Sequence, residues 1–418
     1  MNTQATIAPK PVQDTHGEDV HGDGGAIGFS LMPLTLMVFA CSMAMMAFIS
    51  VAGPIARVMR LEPWQLGMTL AIAGVAWMVM ARLWGIASDR RGRRPILLTG
   101  LSGFVISYML LSAFIAFGLS TPILPMLAFA GLVLGRGLAG AFYAAVPSTS
   151  MALIADHVPP ARRAQAMAAL GAASAAGMVV GPALAGLLAA IDLALPLYLL
   201  AIPPLIALIV LWRILPAPAT PPPAMRKPAP RLTDPRLRIP LILAFIASFS
   251  VAVAQITVGF FTLDRLHLDP AAAASVAGIA LAAVGVAQTL SQTILRRLKW
   301  PAERFIRIGA VIAAIGFASV MLVTFPAMLW ISYGVAAFGM GWIYPSVSAL
   351  TANAVEPSEQ GAAAGSVGSA QGLGLIMGPI IGTALYTIDN GIAYGVIGVM
   401  LLSATILVRP KPPATKEA

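Results

Sequence analysis

Twelve apolar stretches, each long enough to cross a lipid bilayer as a helix, constrain this chain more than any other feature. They lie at about 29–53, 66–87, 95–118, 122–154, 164–190, 195–215, 239–263, 271–294, 303–324, 327–353, 361–386 and 390–408. A spanning helix needs about 20 mainly apolar residues. Only 10% of the residues are charged and 59% are apolar, whereas a soluble domain carries about 25% charged residues. The sequence therefore predicts an all-α polytopic membrane protein and argues against a soluble enzyme.

The spans fall into two groups of six, separated by a proline-rich segment. We expect a disordered cytoplasmic tail at 1–28, an N-terminal six-helix bundle at 29–215, a cytoplasmic linker at 216–238, a C-terminal six-helix bundle at 239–408 and a second cytoplasmic tail at 409–418. The prolines of the linker favour an extended, non-helical chain.

The basic residues are distributed unequally between the two sides of the membrane. Of the 26 Lys and Arg, three lie in loops on one side, two lie within spans, and 21 lie on the other side. Cytoplasmic loops carry the excess of basic residues. This side, with both termini, is therefore predicted to be cytoplasmic, in the inner membrane of a bacterium. The asymmetry also explains the net charge of +10 without nucleic acid as a partner.

One element of the first half recurs in the second. Gly177, Gly181 and Pro182 in the fifth span correspond to Gly374, Gly378 and Pro379 in the eleventh, at a spacing of 197 residues. Parallel six-helix repeats place the substrate between the halves, near the middle of the bilayer. We therefore expect transport by alternating access, in which one half rocks against the other.

The loop between the second and third spans reads GIASDRRGRRP from Gly85 to Pro95. Glycine at position 92 suits a tight turn, because it adopts a positive φ without a steric penalty. The stretch resembles the cytoplasmic signature of the major facilitator superfamily, Gly-x-x-x-Asp-Arg-x-Gly-Arg-Arg/Lys. The matching residues are Gly85, Asp89, Arg90, Gly92, Arg93 and Arg94. The resemblance implies the twelve-helix fold of two bundles and a cytoplasmic gate in which Asp89 joins a network with the loop arginines.

Two further elements resemble signatures of the same family. Gly177, Gly181, Pro182 and Gly186 are similar to its antiporter signature, with Ala185 in place of one glycine. This implies the exporter branch of drug or metabolite:proton antiporters. Arg136 and Gly140 in the fourth span are similar to the family's Arg-x-x-x-Gly element, which implies a part in proton movement. A hydrogen-bonded brace in the bilayer remains the alternative for Arg136.

The acidic residues are informative by their positions. All 16 Asp and Glu lie in loops, tails or span ends, so no carboxylate is expected in the middle of a span. Asp264 and Asp269 are the nearest candidates. The substrate or proton pathway is predicted from the polar residues left within spans, which are Arg136, Tyr143, Gln255, Gln288, Gln292 and Gln371. Polar side chains are costly in lipid and are expected to face the interior.

These observations favour a secondary transporter that exports a small organic molecule, with protons as the coupling ion. A neutral, zwitterionic or anionic metabolite such as a siderophore suits Arg136 and the amides. Multidrug efflux of lipophilic compounds, nutrient uptake and a lipid flippase remain alternatives. No phosphate-binding loop for ATP is present, and the single cysteine, Cys41, excludes a cysteine-based metal site. We expect no cofactor, no metal, no enzyme activity and a monomer in the bilayer.

Overall fold

A computed structural model of the chain describes residues 31–215, 234–298, 300–356 and 359–408, which are helical and contain no strand. The first half comprises α1 (Met32–Val58), α2 (Pro63–Arg91), α3 (Arg93–Ser120), α4 (Pro125–Tyr143), α5 (Ala145–His157), α6 (Pro160–Ala189), α7 (Leu195–Leu199) and α8 (Ile202–Ile214). The second half comprises α9 (Arg238–Asp264), α10 (Pro270–Arg297), α11 (Ala302–Ser319), α12 (Pro326–Asn353), α13 (Gln360–Ile388) and α14 (Ile392–Leu407).

The helices account for all twelve predicted spans. Within the described ranges, 11 segments are long and apolar enough to cross a membrane. The fourth span is divided between α4 and α5, and the sixth between α7 and α8. The twelfth, α14, is apolar but only 16 residues long. The predicted all-α membrane fold is confirmed. The predicted tails 1–28 and 409–418, and residues 216–233 of the predicted linker, lie outside the described residues.

Proline and aspartate define where several helices begin. The helices α2, α4, α6, α10 and α12 each start with a proline, a residue whose fixed φ and missing N–H suit the first helical position. The carboxylate of Asp269 also accepts hydrogen bonds from the N–H groups of Ala271 and Ala272 at 3.0 and 3.1 Å. Proline at the first position of these helices therefore fixes where the spans begin after short connections.

Helices α1 and α9 occupy the centre of the molecule. They are the most enclosed of the described spans, with 78% and 72% of an apolar 18-residue stretch buried. α1 packs mainly on α6, and α9 packs mainly on α13. Large apolar side chains on the peripheral helices, such as Leu110 and Val399, are instead exposed, which suits contact with lipid. The cavity of the protein is therefore expected beside α1 and α9.

Four helix pairs make the main contacts between the two halves in the described ranges, namely α1 with α9, α1 with α10, α2 with α13 and α6 with α10. Their closest approaches lie near the ends that face away from the arginine-rich loops. At Gly53 of α1 a Cβ atom would lie 2.7 Å from the backbone carbon of Gly259 in α9, a distance that real Cβ atoms do not reach. Glycine is therefore required for the halves to meet on this side, which we call the outer side.

Candidate functional site: a central cavity and its two ends

A cavity with two connected lobes lies between the halves. The first, which we call the arginine lobe, has an empty volume of about 1070 Å³ and is lined by Arg136, Trp77, Tyr143, Met45 and Pro379, among others. The second, the amide lobe, has an empty volume of about 960 Å³ and is lined by Gln288, Tyr344, Tyr333, Met340 and Pro182, among others. Met46, Ile49, Met178 and Gln255 line both lobes. The cavity is therefore continuous across α1, α6 and α9.

The lining of this cavity is mostly apolar, and Arg136 is the one charged side chain among the described residues that form it. No aspartate or glutamate is among the described residues that line either lobe, and no group of acids, histidines and cysteines in the described ranges could hold a metal ion. Methionines and aromatic rings make up much of the wall. Methionine side chains adapt to neighbours of different shapes, and the aromatic rings add broad apolar surface.

Arg136 is almost fully enclosed, at 3% exposure. Its Nη1 lies 3.3 Å from the thioether sulfur of Met45, and its guanidinium lies 4.7 Å from the ring centre of Phe48. Its Nε has no hydrogen-bond partner. The thioether is a weak acceptor, so these contacts offset only part of the cost of burying the charge. The structure therefore places an incompletely compensated cation in the wall of the arginine lobe.

Tyr143 extends this polar wall toward α6. Its hydroxyl lies 3.0 Å from the hydroxyl of Ser42 in α1, which lies 2.9 Å from that of Ser174 in α6. The three hydroxyls link α1, α4 and α6 inside the N-terminal half. Tyr143 therefore both lines the arginine lobe and connects three helices that surround it.

The four candidate glutamines are placed differently. Gln255 lines both lobes and Gln288 lines the amide lobe. Gln292 is exposed and Gln371 is half-buried, and neither is among the residues that line the lobes. Gln292 lies one helical turn beyond Gln288, so it shares that face of α10. The structure brings together Arg136, Tyr143, Gln255 and Gln288 and leaves the other two outside.

An ion pair joins the halves at the outer end of the cavity. Nη2 of Arg57, at the end of α1, donates to Oδ1 of Asp264, at the end of α9, at 2.5 Å. The hydroxyl of Tyr386 in α13 donates to the other oxygen of the same carboxylate at 2.9 Å. We call these three residues the outer latch. Together with the contact between Gly53 and Gly259, they close the cavity on this side.

The halves approach each other less closely toward the side of the arginine-rich loop. Gly53 and Gly186, where a Cβ atom would collide with the other half, both lie toward the outer latch. Near the opposite ends of α6 and α13, Gly171, Gly365 and Gly368 are exposed, and a Cβ atom there would meet no atom within 4 Å. The contacts of the described glycines therefore indicate a structure closed on the outer side and open on the arginine-rich side.

The loop signature at this open end makes contacts within the N-terminal half. The guanidinium of Arg93 pairs with Asp89 and, at 2.9 Å, with Asp156 at the end of α5. Arg94 donates to the backbone carbonyl of Trp212 at 2.9 Å. Gly92 has a φ of 91°, the left-handed region that favours glycine. Arg93 thus fastens the turn between α2 and α3 to the inner end of the fourth span.

Two other residues of the loop signature have simpler surroundings. Arg90 is exposed at the end of α2. A Cβ atom added at Gly85 would meet nothing within 4 Å, so close packing in this conformation does not require glycine there.

The repeated glycine elements occupy equivalent places in the two halves. A Cβ atom on Gly181 would lie 2.2 Å from the carbonyl oxygen of Met43 in α1, and one on Gly177 would lie 2.4 Å from that of Phe39. In the second half, Cβ atoms on Gly374 and Gly378 would lie 2.8 and 3.0 Å from the carbonyl oxygens of Phe245 and Phe249 in α9. Each element packs a cavity-lining helix against the central helix of its own half.

Gly186 acts at a different contact. Its added Cβ would lie 2.7 Å from the Cα atom of Gly278 in α10, so this residue brings the two halves together on the outer side. The four residues of the predicted antiporter element therefore have three different roles. Gly177 and Gly181 allow close packing within the N-terminal half, and Pro182 lines the cavity. Gly186 allows the two halves to meet on the outer side.

Several residues of the site were not predicted as such. Arg57 and Tyr386 were not singled out, and Asp264 was predicted only as the nearest available carboxylate. Asp156 carried a signal, since it occupies the position in the repeat that Asn353 occupies in the second half. Trp77 lines the arginine lobe with an indole Nε1 that has no hydrogen-bond partner, and an indole ring within an apolar span gives no sign of this.

Comparison with known proteins identifies the family. The chain matches the Major Facilitator Superfamily over residues 34–327 and 241–418. It is 28% identical to the class G tetracycline resistance protein of Vibrio anguillarum, over 84% of this chain and 88% of that protein. It is 24% identical to a multi-drug resistance efflux pump PmrA homolog of Lactococcus lactis, over 76% of this chain and 78% of that protein.

Solved structures show the same fold. The crystal structure of a D-xylose–proton symporter superposes with a TM-score of 0.69 at 18% identity, over 92% of this chain and 98% of that one. Because the family model matches most of the chain and the described spans form two halves with a cavity between them, this chain belongs to the Major Facilitator Superfamily of membrane transporters.

Proposed function

We propose that the protein exports lipophilic organic compounds, including drugs, from the cytoplasm by alternating access. The observation that carries the proposal is the mostly apolar cavity between the halves, open at the arginine-rich side and closed by the outer latch. By the positive-inside rule, the arginine-rich side faces the cytoplasm. In this conformation the cavity is thus positioned to receive a compound from the cytoplasm or the inner leaflet.

The relatives favour drug efflux over the metabolite export that the sequence favoured. Proteins named for tetracycline resistance and multidrug resistance align over most of the chain. The cavity supports this, because its methionines and aromatic rings provide adaptable apolar contacts rather than a dense set of hydrogen bonds. Export of a siderophore rests on Arg136 alone and is the second candidate.

We further propose that the protein is a monomer in the bacterial inner membrane, with both termini in the cytoplasm. The 21 basic residues on the arginine-rich side and the bacterial relatives support this placement. Each half provides a wall of the same cavity, so one chain is sufficient to form the transport path.

Protons are the proposed coupling ion. No carboxylate lines either lobe within the described residues, so the proton carrier is expected outside the cavity wall. Asp264 at the outer latch is a carboxylate that contacts both halves. We therefore assign the coupling step to the ends of the cavity rather than to its centre.

Inside-out vesicles from a strain without its own major drug exporters test this function. An imposed gradient, acidic inside, is expected to drive uptake of tetracycline or a lipophilic dye into vesicles that contain the protein. Nigericin, which dissipates the pH gradient, is expected to stop this uptake. Vesicles that accumulate none of the compounds above the level of empty-vector vesicles would contradict drug efflux. Selective retention of an iron chelator by a deletion strain would favour the second candidate.

A further inference from the structure

The arginine lobe contains two buried hydrogen-bond donors that the protein does not use. One is Nε of Arg136, and the other is the indole Nε1 of Trp77. Both side chains line the same lobe. Buried donors are nearly always paired with protein groups or water, so two unused donors in one cavity wall point to an acceptor that arrives from outside.

The surroundings of Arg136 select the charge of that acceptor. Its contacts are the sulfur of Met45 and the ring face of Phe48. No carboxylate among the described residues pairs with it. An arginine offers a planar fork of donors that matches a carboxylate or another acidic oxygen group. A cationic ligand would instead add repulsion in a cavity wall of low dielectric.

The backbone places the two donors at separate points of the lobe. A Cβ atom on Gly140 of α4 would lie 2.9 Å from the carbonyl oxygen of Ala73 in α2, so these two residues lie at the same depth. Arg136 is one turn outward from Gly140, and Trp77 is one turn inward from Ala73. Their backbones are therefore about 12 Å apart along the helix axis, at 1.5 Å per residue. One small anion cannot occupy both positions, whereas an extended molecule can.

We propose that the arginine lobe binds amphiphilic organic acids. The acidic oxygen group lies on Arg136, a second acceptor oxygen lies on the indole N–H of Trp77, and the apolar body lies against Met45, Met46 and Met178. This inference rests on the proposed export function and names the class of compound that the cavity prefers. It assigns Arg136 and Trp77 as binding residues, with the guanidinium providing selection by charge.

Two xanthene dyes of opposite charge provide the test. Fluorescein is anionic, and tetramethylrhodamine methyl ester is a cation with the same ring system. Binding of each dye to the purified full-length protein in nanodiscs is measured by fluorescence polarisation. Wild-type protein is expected to bind fluorescein at least about tenfold more tightly than the rhodamine ester. A hydrogen bond to a charged group contributes enough free energy to give an affinity ratio of this size.

Variants separate the two donors from general effects on folding. Arg136→Gln is expected to weaken fluorescein binding about tenfold or more, and Arg136→Lys to restore part of it. Trp77→Phe removes the N–H and keeps a ring, so a smaller loss, of about threefold, is expected. Trp64→Phe is the matched control, because Trp64 lies on the same helix against Phe129, outside the residues that line the lobes. Each variant is compared only when it elutes as wild type in size-exclusion chromatography.

The outcomes distinguish this inference from the export function. Tighter binding of the rhodamine ester, no binding of fluorescein, or fluorescein binding that Arg136→Gln and Arg136→Lys both leave unchanged would overturn the inference. Export of the rhodamine ester from vesicles in any of these cases would leave the export function intact. Fluorescein binding without export of either dye would instead contradict the export function and support the site.

Discussion

Arg57 and Asp264, which are 207 residues apart in the chain, form an ion pair that joins the outer end of α1 to the outer end of α9. Because Tyr386 of α13 donates to the same carboxylate, one acidic side chain connects three helices across the two halves. The outer side must separate when the cavity opens outward, so this carboxylate has to lose at least one of its partners in every transport cycle.

Neutralising Asp264 is expected to favour the outward-open state. The side chains of Arg57 and Asp264 are 48% and 24% exposed, and a partly exposed pair contributes about 0.5–1 kcal/mol. Asp264→Asn should therefore increase the ratio of outward-open to inward-open molecules by about two- to fivefold. Leu124 and Leu322 are exposed near the outer ends of the two halves and can carry spin labels. Double electron–electron resonance should then show a larger fraction of long distances between the two labels.

Asp269→Asn is the matched control for the outer latch. Asp269 lies on the same side but caps α10 within one half, and asparagine preserves such a cap. The distances between the two spin labels should stay as in wild type. Exchange of the charges, in the double variant Arg57→Asp with Asp264→Arg, should recover much of the closed population. Equal distance distributions in Asp264→Asn and wild type would show that the pair does not hold the outer side closed.

Gly181→Ala is expected to damage both stability and transport. The new methyl group would lie 2.2 Å from a backbone carbonyl oxygen of α1, and a backbone neighbour cannot rotate away as a side chain does. Overpacking of this kind costs about 1–3 kcal/mol, and separation of α6 from α1 would change the cavity wall. We expect a lower thermal midpoint in detergent and little or no dye efflux, with a larger effect for Gly181→Leu.

The same helix provides the control for Gly181. Gly171 lies in α6 at a position where a Cβ atom meets nothing within 4 Å. Gly171→Ala should leave the thermal midpoint unchanged or raise it slightly, because alanine is the better helix former by about 1 kcal/mol. If Gly181→Ala behaved like Gly171→Ala in both assays, the close packing of α6 on α1 would not be required for transport.

The sequence predicts the spans and the repeat well because both depend on local signals. Apolar length between charges and prolines is sufficient to place the twelve spans, but not the breaks that divide the fourth into α4 and α5 and the sixth into α7 and α8. Gly177, Gly181, Gly374 and Gly378 mark the same helix contact in each half. The turn at Gly92 is also local, and it has the positive φ that its position predicts.

The parts that the sequence does not predict depend on distant contacts. Arg57 lies near an outer loop, where an arginine is ordinarily solvated, and its partner is identifiable only once α1 and α9 are packed together. Gln292 and Gln288 are both glutamines of the same span, α10, yet of these two only Gln288 lines a lobe. This difference depends on where the halves separate toward the arginine-rich side, which no local pattern of residues encodes.

Arg93 is expected to act as the common partner of two carboxylates in the inner loop. It pairs with Asp89 in the signature and with Asp156 at the end of α5. Asp89→Asn and Asp156→Asn should each reduce transport while expression is retained, since each removes one charge from the same guanidinium. Because they share this partner, their effects should not add. Transport rates of the single and double variants give the interaction energy directly.

Arg91→Gln is the control for the inner loop, because Arg91 is exposed one residue before Gly92. It removes a positive charge from the same turn and should leave the transport rate near that of wild type. A double variant whose loss equals the sum of the single losses would contradict the shared role of Arg93.

The start of α9 carries a second charged cluster, and this one predicts a pH dependence of stability. Arg236 pairs with Asp234 at 2.8 Å and with Glu359 at 3.0 Å. Hydrogen bonds from Arg236 lower the pKa of Asp234 and that of Glu359 below their usual values. A group whose pKa is lowered in the folded state stabilises that state above its unfolded pKa, at about 4. This contribution is lost as the pH falls through the lowered pKa values.

Arg236→Gln should therefore reduce the thermal midpoint at pH 7 more than at pH 3, at low salt. The exposed cluster is screened by salt, so the difference should shrink in 1 M NaCl. Arg238→Gln is the matched control, because Arg238 is exposed two residues later and belongs to neither pair. An Arg236→Gln midpoint that differs from wild type by the same amount at both pH values would contradict this assignment.

Gln255 is expected to affect every substrate, because it lines both lobes of the cavity. Replacement by leucine keeps a similar volume and removes the amide at the point where the arginine lobe meets the amide lobe. A lost neutral hydrogen bond costs about 0.5–1.5 kcal/mol, so apparent affinity should fall about two- to tenfold for fluorescein and for the rhodamine ester alike.

Gln292→Leu makes the same chemical change on α10, outside the described lining of either lobe, and should leave both affinities near wild type. Concentration dependence of dye efflux from vesicles measures both variants. If Gln292→Leu weakened transport as much as Gln255→Leu, the substrate path would extend along α10 toward the arginine-rich side, and the boundary of the site drawn from this conformation would be wrong.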